Sequence, residues 1–219
     1  MKTVLRSRWT KVLLFIVCLI PTGFLYKREF GGPYPPPLEV ITHNSGDWAI
    51  WFLGITLSIT PLRALFNEPL LTRYRRMFGL FAFYYACLHF SVWLWLDKDF
   101  DLRDMWADIL KRRYITVGML ALTLMIPLAI TSTAGWVRRL GFKRWQWLHR
   151  LIYFSGLAAV IHYYWLVKSD ETWPLIYIAI FSVLMIYRFV AWSRAAGSPI
   201  RSAVPPAAPT TRPAAPGPG

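Results

Sequence analysis

The chain has 219 residues, of which 56% are hydrophobic, 17% aromatic and only 16% charged, a balance that excludes a soluble domain of this size. Its net charge of +14 would suggest nucleic-acid binding in a soluble protein. Here the Lys and Arg residues cluster beside apolar runs, where they set orientation in a membrane, and the two cysteines, Cys18 and Cys87, lie inside such runs, which indicates buried thiols and neither a disulfide framework nor a thiolate metal site.

A membrane-crossing helix needs about 20 mainly apolar residues, and the chain offers repeated runs of that length. The first follows Arg6 and Arg8 and continues to Tyr26. No small-residue cleavage motif follows it, so residues 1–26 read as a retained first helix with a basic N-terminus, not a signal peptide. Gly31-Gly32-Pro33 and Pro35-Pro36-Pro37 then oppose regular helix, because proline lacks the donor and clashes with the preceding turn. Residues 27–47 are accordingly expected to form an extended Pro/Gly-rich periplasmic loop.

Helix two is expected from about Trp48 to Pro61 or Leu65, and helix three from about Met77 to Leu96, ending in an acidic loop between Asp97 and Asp108. Helices four, five and six follow over about Tyr114–Ser132, Trp147–Val167 and Trp173–Trp192. The expected fold is all-α: an integral membrane bundle of six transmembrane helices, with its core over residues 48–194. Beyond Ala195 the chain is rich in Pro, Ala and Gly without apolar periodicity. Such a composition offers no core to offset ordering entropy, so residues 195–219 read as a disordered cytoplasmic tail.

Four basic clusters assign the sides. Arg6, Arg8 and Lys11 precede helix one; Arg63, Arg73, Arg75 and Arg76 join helices two and three; Arg138, Arg139, Lys143 and Arg144 join helices four and five; Arg188 and Arg194 close helix six. All fall on one face of an even-numbered bundle, so both termini are expected in the cytoplasm. Lys111-Arg112-Arg113 dissents, in the company of aspartates.

Three of the four histidines, His89, His149 and His162, fall in or at the ends of helices three and five. An ionisable group in the hydrocarbon is costly and marks a functional site by default, and neutral imidazole is a standard axial ligand of haem iron. A lone helical histidine is more often a satisfied polar group than a ligand. Depth favours a pair: His89 lies 13 residues beyond Arg76, and His162 lies 13 residues beyond His149, itself near the cytoplasmic basic cluster, so each sits roughly 20 Å deep on helices running the same way. Two imidazoles at one level are placed to clamp one b-type haem. His149, about 20 Å from His162 along the axis, needs another role, and at its level helix three carries Arg75 and Arg76 in place of a second histidine. On a straight helix the two histidines would also point about 140° apart. His43, next to Asn44 and Gly46 in the Pro-rich segment, reads as a solvated loop residue, and Trp145, Trp147, Trp165 and Trp173, near helix ends, as interfacial belts.

Several segments carry a family resemblance: Ser58-Ile-Thr-Pro-Leu-Arg63, Arg75-Arg-Met-Phe-Gly-Leu80 leading to Tyr85-Ala-Cys-Leu-His89, Lys111-Arg-Arg-Tyr-Ile115, Pro127-Leu-Ala-Ile-Thr-Ser132, and Trp147-Leu-His-Arg-Leu-Ile-Tyr153 through His162-Tyr-Tyr-Trp165. Over residues 45–192 the chain resembles the ferric reductase-like transmembrane family, among its small members the haem-binding membrane subunits of bacterial periplasmic methionine sulfoxide reductase systems. The resemblance implies haem b and FMN. It also implies residence in the bacterial inner membrane and a partner, a periplasmic molybdopterin-dependent methionine sulfoxide reductase that repairs oxidised proteins. Electrons would come from the quinone pool or from a cytosolic flavin reductase. The larger family carries two histidines on helix three and stacks two haems; the inner one is missing here, which leaves His149 as a candidate ligand for a second haem without an obvious partner. Other readings stay open on sequence grounds: a stand-alone ferric reductase, a quinol-oxidising cytochrome b, or a small proton-coupled transporter.

Overall fold

The computed structural model describes residues 6–31, 37–167 and 171–197. Helix α1 is Arg8–Phe30, α2 Leu38–Leu65 and, after a 3-10 turn at Pro69–Leu71, α3 is Thr72–Val92, continued by a π-helical turn over Trp93–Asp97. Helix α4 is Leu102–Lys111, α5 Arg113–Ile130, α6 Ala134–Leu140, α7 Phe142–Leu148, α8 Leu151–Leu166 and α9 Thr172–Gly197. The expected all-α fold is found, with no strand among the described residues.

Five stretches are long and apolar enough to cross a membrane: Arg8–Arg28, Leu38–Leu65, Pro69–Asp97, Arg113–Ile130 and Thr172–Arg194. The fifth expected helix is divided. The chain breaks at His149 and Arg150, where the Arg150 N–H turns back to Trp147 O at 3.1 Å, and α8 keeps only 16 residues. Trp145 Nε1 donates to Thr131 O at 2.9 Å, which ties α7 to the end of α5 just before α8 starts.

Two stretches expected as loops are helical. Pro37 is the N-cap of α2; the prolines end there, and Leu38 onwards is free to wind, with Thr42 Oγ1 donating to Leu38 O at 2.9 Å. Residues 38–47 are therefore helix, His43 is a half-buried helical residue and not a solvated loop residue, and α1 extends to Phe30. Within the acidic stretch, Asp101 caps α4 by accepting from the N–H groups of Arg103 and Asp104 at 2.8 and 3.2 Å, the usual N-cap device. Residues 32–36 of the expected loop and residues 198–219 of the expected tail lie outside the described residues.

The bundle is built from two hairpin-like pairs, α2 with α3 and α5 with α8, which have the most extensive contacts and meet through α3 with α5 and α2 with α8. Phe52 stacks on Tyr85, with ring centroids 5.2 Å apart and planes 5° apart, and on Phe81 at 5.6 Å. Tyr85 has no solvent exposure, and its hydroxyl donates to Cys18 O at 2.7 Å while accepting from Thr22 Oγ1 at 3.1 Å. This pins α1 to α3. The outer faces are apolar and uncovered, as at Val183, Ile186 and Phe189, each more than 60% exposed, which suits a lipid solvent.

Proline inside α2 is compensated by a cation. Pro61 has no N–H for Leu57 O, four residues earlier; Arg188 Nη2 donates to that carbonyl at 2.7 Å, and its Nη1 donates to Tyr153 Oη at 2.7 Å. Arg188 thus joins α9, α8 and α2 inside the bundle. Arg75 reaches from α3 to Thr60 Oγ1 on α2. Arg73 Nη1 donates to Arg6 O at 2.7 Å, which puts the first two basic clusters at the same end.

Candidate functional site

His89 comes from α3 and His162 from α8, and the fold brings them together: the ring centroids are 6.1 Å apart and the planes meet at 76°. Each Nδ1 is claimed by backbone. His89 Nδ1 lies 2.9 Å from Thr42 O and 3.3 Å from Ser45 Oγ on α2, and His162 Nδ1 lies 2.6 Å from Tyr114 O on α5. A carbonyl only accepts, so Nδ1 carries the proton in both rings, which leaves Nε2 with its lone pair. Histidines that ligate metals are held in this way, the second ring N–H donating to a carbonyl and fixing tautomer and orientation.

Two glycines make room for the rings. A Cβ on Gly46 would lie 3.1 Å from His89 Cε1, and a Cβ on Gly118 would lie 2.7 Å from His162 Nδ1 and 2.9 Å from Cε1. Each imidazole therefore lies flat against the backbone of a neighbouring helix, α2 for His89 and α5 for His162. Glycine in a helix interior costs roughly 1 kcal/mol relative to alanine, so at these two positions the space for the rings comes at a local cost to the helix.

The pair faces a cavity of about 380 Å³ between α2, α3, α5 and α8, lined among others by Ala82, Ala86, Leu53 and Met125. Its volume falls in the usual range for a ligand site, roughly 300–1,000 Å³. A polar mouth includes Glu39, His43, Asp97, Arg112 and Tyr114. Two metal–nitrogen bonds of about 2 Å and two ring radii of about 1.1 Å place bis-imidazole centroids roughly 6 Å apart, which the observed separation matches. The residues present thus fit a flat prosthetic group ligated from both sides. Among the described residues, no group of three or more His, Cys, Asp or Glu side chains is arranged to hold a bare metal ion.

His149 stands apart from this cavity. It caps α7, with Nδ1 3.1 Å from Trp145 O and its ring centroid 4.0 Å from that of Trp145. Its Nε2 is buried and makes no hydrogen bond of good geometry, although the Leu128 backbone lies close enough to interact with the ring. Arg76, over the Trp145 ring at 6.0 Å, is the basic neighbour from α3, whereas Arg75 turns toward α2.

At the mouth, Lys98 is buried and its Nζ lies 2.7 Å from Asp104 Oδ2, 2.5 Å from Asp108 Oδ2 and 3.7 Å from Asp97 Oδ2. Arg112 Nε lies 3.3 Å from Asp108 Oδ1. Hydrogen bonds to Asp104 and then Asp108 push the Lys98 ammonium well above its ordinary value, and the hydroxyl of Tyr114 does the same for Arg112. This network fixes α4 against the ends of α3 and α5.

Residues 45–160 match the family model described as ferric reductase like transmembrane component. The chain is 50% identical over 191 residues, covering 84% of it and 86% of the relative, to the protein-methionine-sulfoxide reductase heme-binding subunit MsrQ of Herminiimonas arsenicoxydans. It is 46% identical over 186 residues to the protein of the same name from Rhodospirillum rubrum, covering 84% and 89% of the two chains. For the Bordetella pertussis relative, again of that name, the identity is 44% over 191 residues, covering 86% and 92%. The matched region holds the cavity-lining residues from Gly46 to Ala159, His89 among them, and the relatives extend the likeness across most of the chain: it belongs to the ferric reductase-like transmembrane family, with the MsrQ proteins.

Proposed function

We propose that this chain holds a b-type haem between His89 and His162 and serves as the membrane electron-transfer subunit of a methionine sulfoxide reductase system that repairs oxidised proteins. The observation that carries this reading is the pair of imidazoles across one cavity, each with Nδ1 tied to a backbone carbonyl and each seated on a glycine. When bound, the haem iron supplies a one-electron redox couple within the bilayer. The chain's own residues do the rest. Thr42 and Tyr114 hold the tautomers through their carbonyls, Gly46 and Gly118 admit the rings, and the apolar wall of Leu53, Ala82, Ala86 and Met125 keeps water from the ligand atoms.

The names of the relatives support a methionine sulfoxide reductase catalytic subunit as the partner; on the strength of the family resemblance that subunit is periplasmic, molybdopterin-dependent and MsrP-like, and it receives the electrons. The donor side is the quinone pool or a cytosolic flavin reductase, with FMN as a second cofactor on the strength of the family resemblance. The bundle crosses the bacterial inner membrane six times, α8 being the shortest crossing, with both termini in the cytoplasm; the hydrogen bond from Arg73 to Arg6 O supports a shared basic end. The Nε2 of His149, buried without a hydrogen bond of good geometry, supports a ligand role toward a second haem at that end.

The test is a dithionite-reduced minus oxidised spectrum of the detergent-purified chain with haem stoichiometry, followed by reduction of the periplasmic partner in reconstituted vesicles. His89→Ala and His162→Ala should each abolish the haem of this cavity; retention in both variants overturns the ligand assignment. A haem that reduces iron chelates or is reduced by quinol, yet never reduces the partner, overturns the repair reading and leaves the haem site standing.

A further inference from the structure

Helix α4 is tied at both ends to membrane spans, Pro69–Asp97 before it and Arg113–Ile130 after it. Asp99 and Phe100, both with positive φ, at 44° and 58°, turn the chain sharply between α3 and α4. Successive left-handed residues bearing a Cβ are uncommon, and they reverse direction in so few residues that α4 stays close to where the spans leave the hydrocarbon.

At 100° per residue, Leu102, Trp106 and Leu110 occupy an arc of about 80° on one side of α4, while Arg103, Ala107 and Lys111 follow on the polar side. The three apolar residues are 75%, 64% and 70% exposed. The helix cannot roll to bury them, because Asp104 and Asp108 are held by Lys98, and Asp108 also by Arg112. Trp95, in the last turn of the preceding span, and Phe100, three residues beyond it, are likewise 60% and 58% exposed. An apolar face opposite a charged one, on a helix confined to the bilayer edge, is the pattern of interfacial helices.

We propose that α4 is a membrane-surface helix whose Leu102, Trp106 and Leu110 side chains bed into the acyl and headgroup boundary of the lipid, with Arg103 and Lys111 at the phosphates. Lipid is the occupant because α4 is joined within a few residues at each end to an apolar span, and the apolar side chains at the end of the preceding span are uncovered in the same way as the stripe. Asp97 and Arg112, which line the mouth of the His89/His162 cavity, bracket α4, so its bed in the membrane holds that mouth at headgroup level.

Nitroxide labels test this in the full chain, with Cys18→Ala and Cys87→Ala, reconstituted in phosphatidylethanolamine and phosphatidylglycerol nanodiscs. Labels at Leu102→Cys, Leu110→Cys, Arg103→Cys and Ala107→Cys are compared for relaxation by molecular oxygen, which partitions into lipid, and by an aqueous nickel chelate. Variants are compared only if they elute at the wild-type size and melt at the wild-type temperature. Oxygen should dominate at 102 and 110 and the nickel chelate at 103 and 107. Equal exposure of all four sites to the nickel chelate overturns the proposal. So does a stripe that becomes shielded only when the reductase partner is added, since the face would then belong to a protein.

Discussion

Gly118→Ala puts the seat of His162 under direct strain. The added Cβ would lie 2.7 Å from Nδ1 and 2.9 Å from Cε1 of the imidazole, closer than carbon and these atoms tolerate, so the ring must retreat by about half an ångström or turn. It cannot retreat freely, because Nδ1 is bonded to Tyr114 O, one helical turn back on the same α5. Overpacking of this kind costs about 1–3 kcal/mol, whereas alanine for glycine in a helix interior returns about 1 kcal/mol. In the haem-free protein the ring can swing away at the expense of one hydrogen bond, so the melting temperature should stay near wild type. With haem the ring is held in place by its second nitrogen, the overlap is felt, and affinity should fall on the order of tenfold. Gly46→Ala, where the nearest approaches are 3.1 and 3.2 Å, should show the same effect more weakly. Gly54→Ala, which meets only Phe181 at 3.7 Å, should raise the melting temperature and leave haem binding untouched. Haem titration of the apoprotein by absorbance, with thermal melts alongside, reads both quantities. Wild-type haem affinity in Gly118→Ala would refute the reasoning that the glycine exists to admit the ligand ring.

Lys98→Met should destabilise the mouth by roughly 3–5 kcal/mol, because it strands the buried Asp108 beside an Arg112 that reaches only one of its oxygens; hydrogen exchange should show α4 opening while α3 and α5 stay protected. The pH dependence follows from the raised ammonium: its contribution is complete below the ordinary lysine value and is lost only as pH rises through the higher folded one, so α4 should stay protected at physiological pH and loosen in strong alkali. Arg188→Leu should cost about 1–3 kcal/mol in a chemical melt, since Leu57 O next to the Pro61 gap loses its donor. The 76° between the His89 and His162 planes predicts a strongly anisotropic low-spin electron paramagnetic resonance signal from the ferric protein, and a spectrum of the near-parallel type would show that the rings turn on loading.

The all-α membrane fold and the His89/His162 pair were legible in the sequence, because apolar run length and residue depth along a helix are both one-dimensional quantities. Depth needed only the 13-residue spacings from Arg76 and His149 and the helical rise. What escaped were the features that depend on rotation and on neighbouring helices. The prolines suggest loop as far as Asp47, but their effect ends at Pro37, and the Thr42 carbonyl, Ser45, Gly46 and the half-buried His43 all lie on the helix beyond it. Gly118 gave a faint signal, a glycine within an apolar helical run with no turn to explain it. Arg188 has the position of a topology-setting cation at a helix end, while in the fold it satisfies a carbonyl on a helix 131 residues away in the chain.

The break between α7 and α8 also removes the premise of the angular conflict in the sequence, a single straight helix carrying both histidines. Thirteen residues of straight helix would aim His149 and His162 about 140° apart, which is awkward for two ligands on one helix serving stacked haems. In the fold they do not share a helix: His149 caps α7, and α8 starts at Leu151. The tie from Trp145 to Thr131 O and the stack of Trp145 on His149 orient the inner imidazole from α5 and α7, independently of α8. The two imidazoles therefore have separate surroundings, Trp145 and Thr131 for one and Tyr114 and Gly118 for the other. A change at Trp145 acts on His149 without turning His162, and a change at Tyr114 or Gly118 acts on His162 without touching His149.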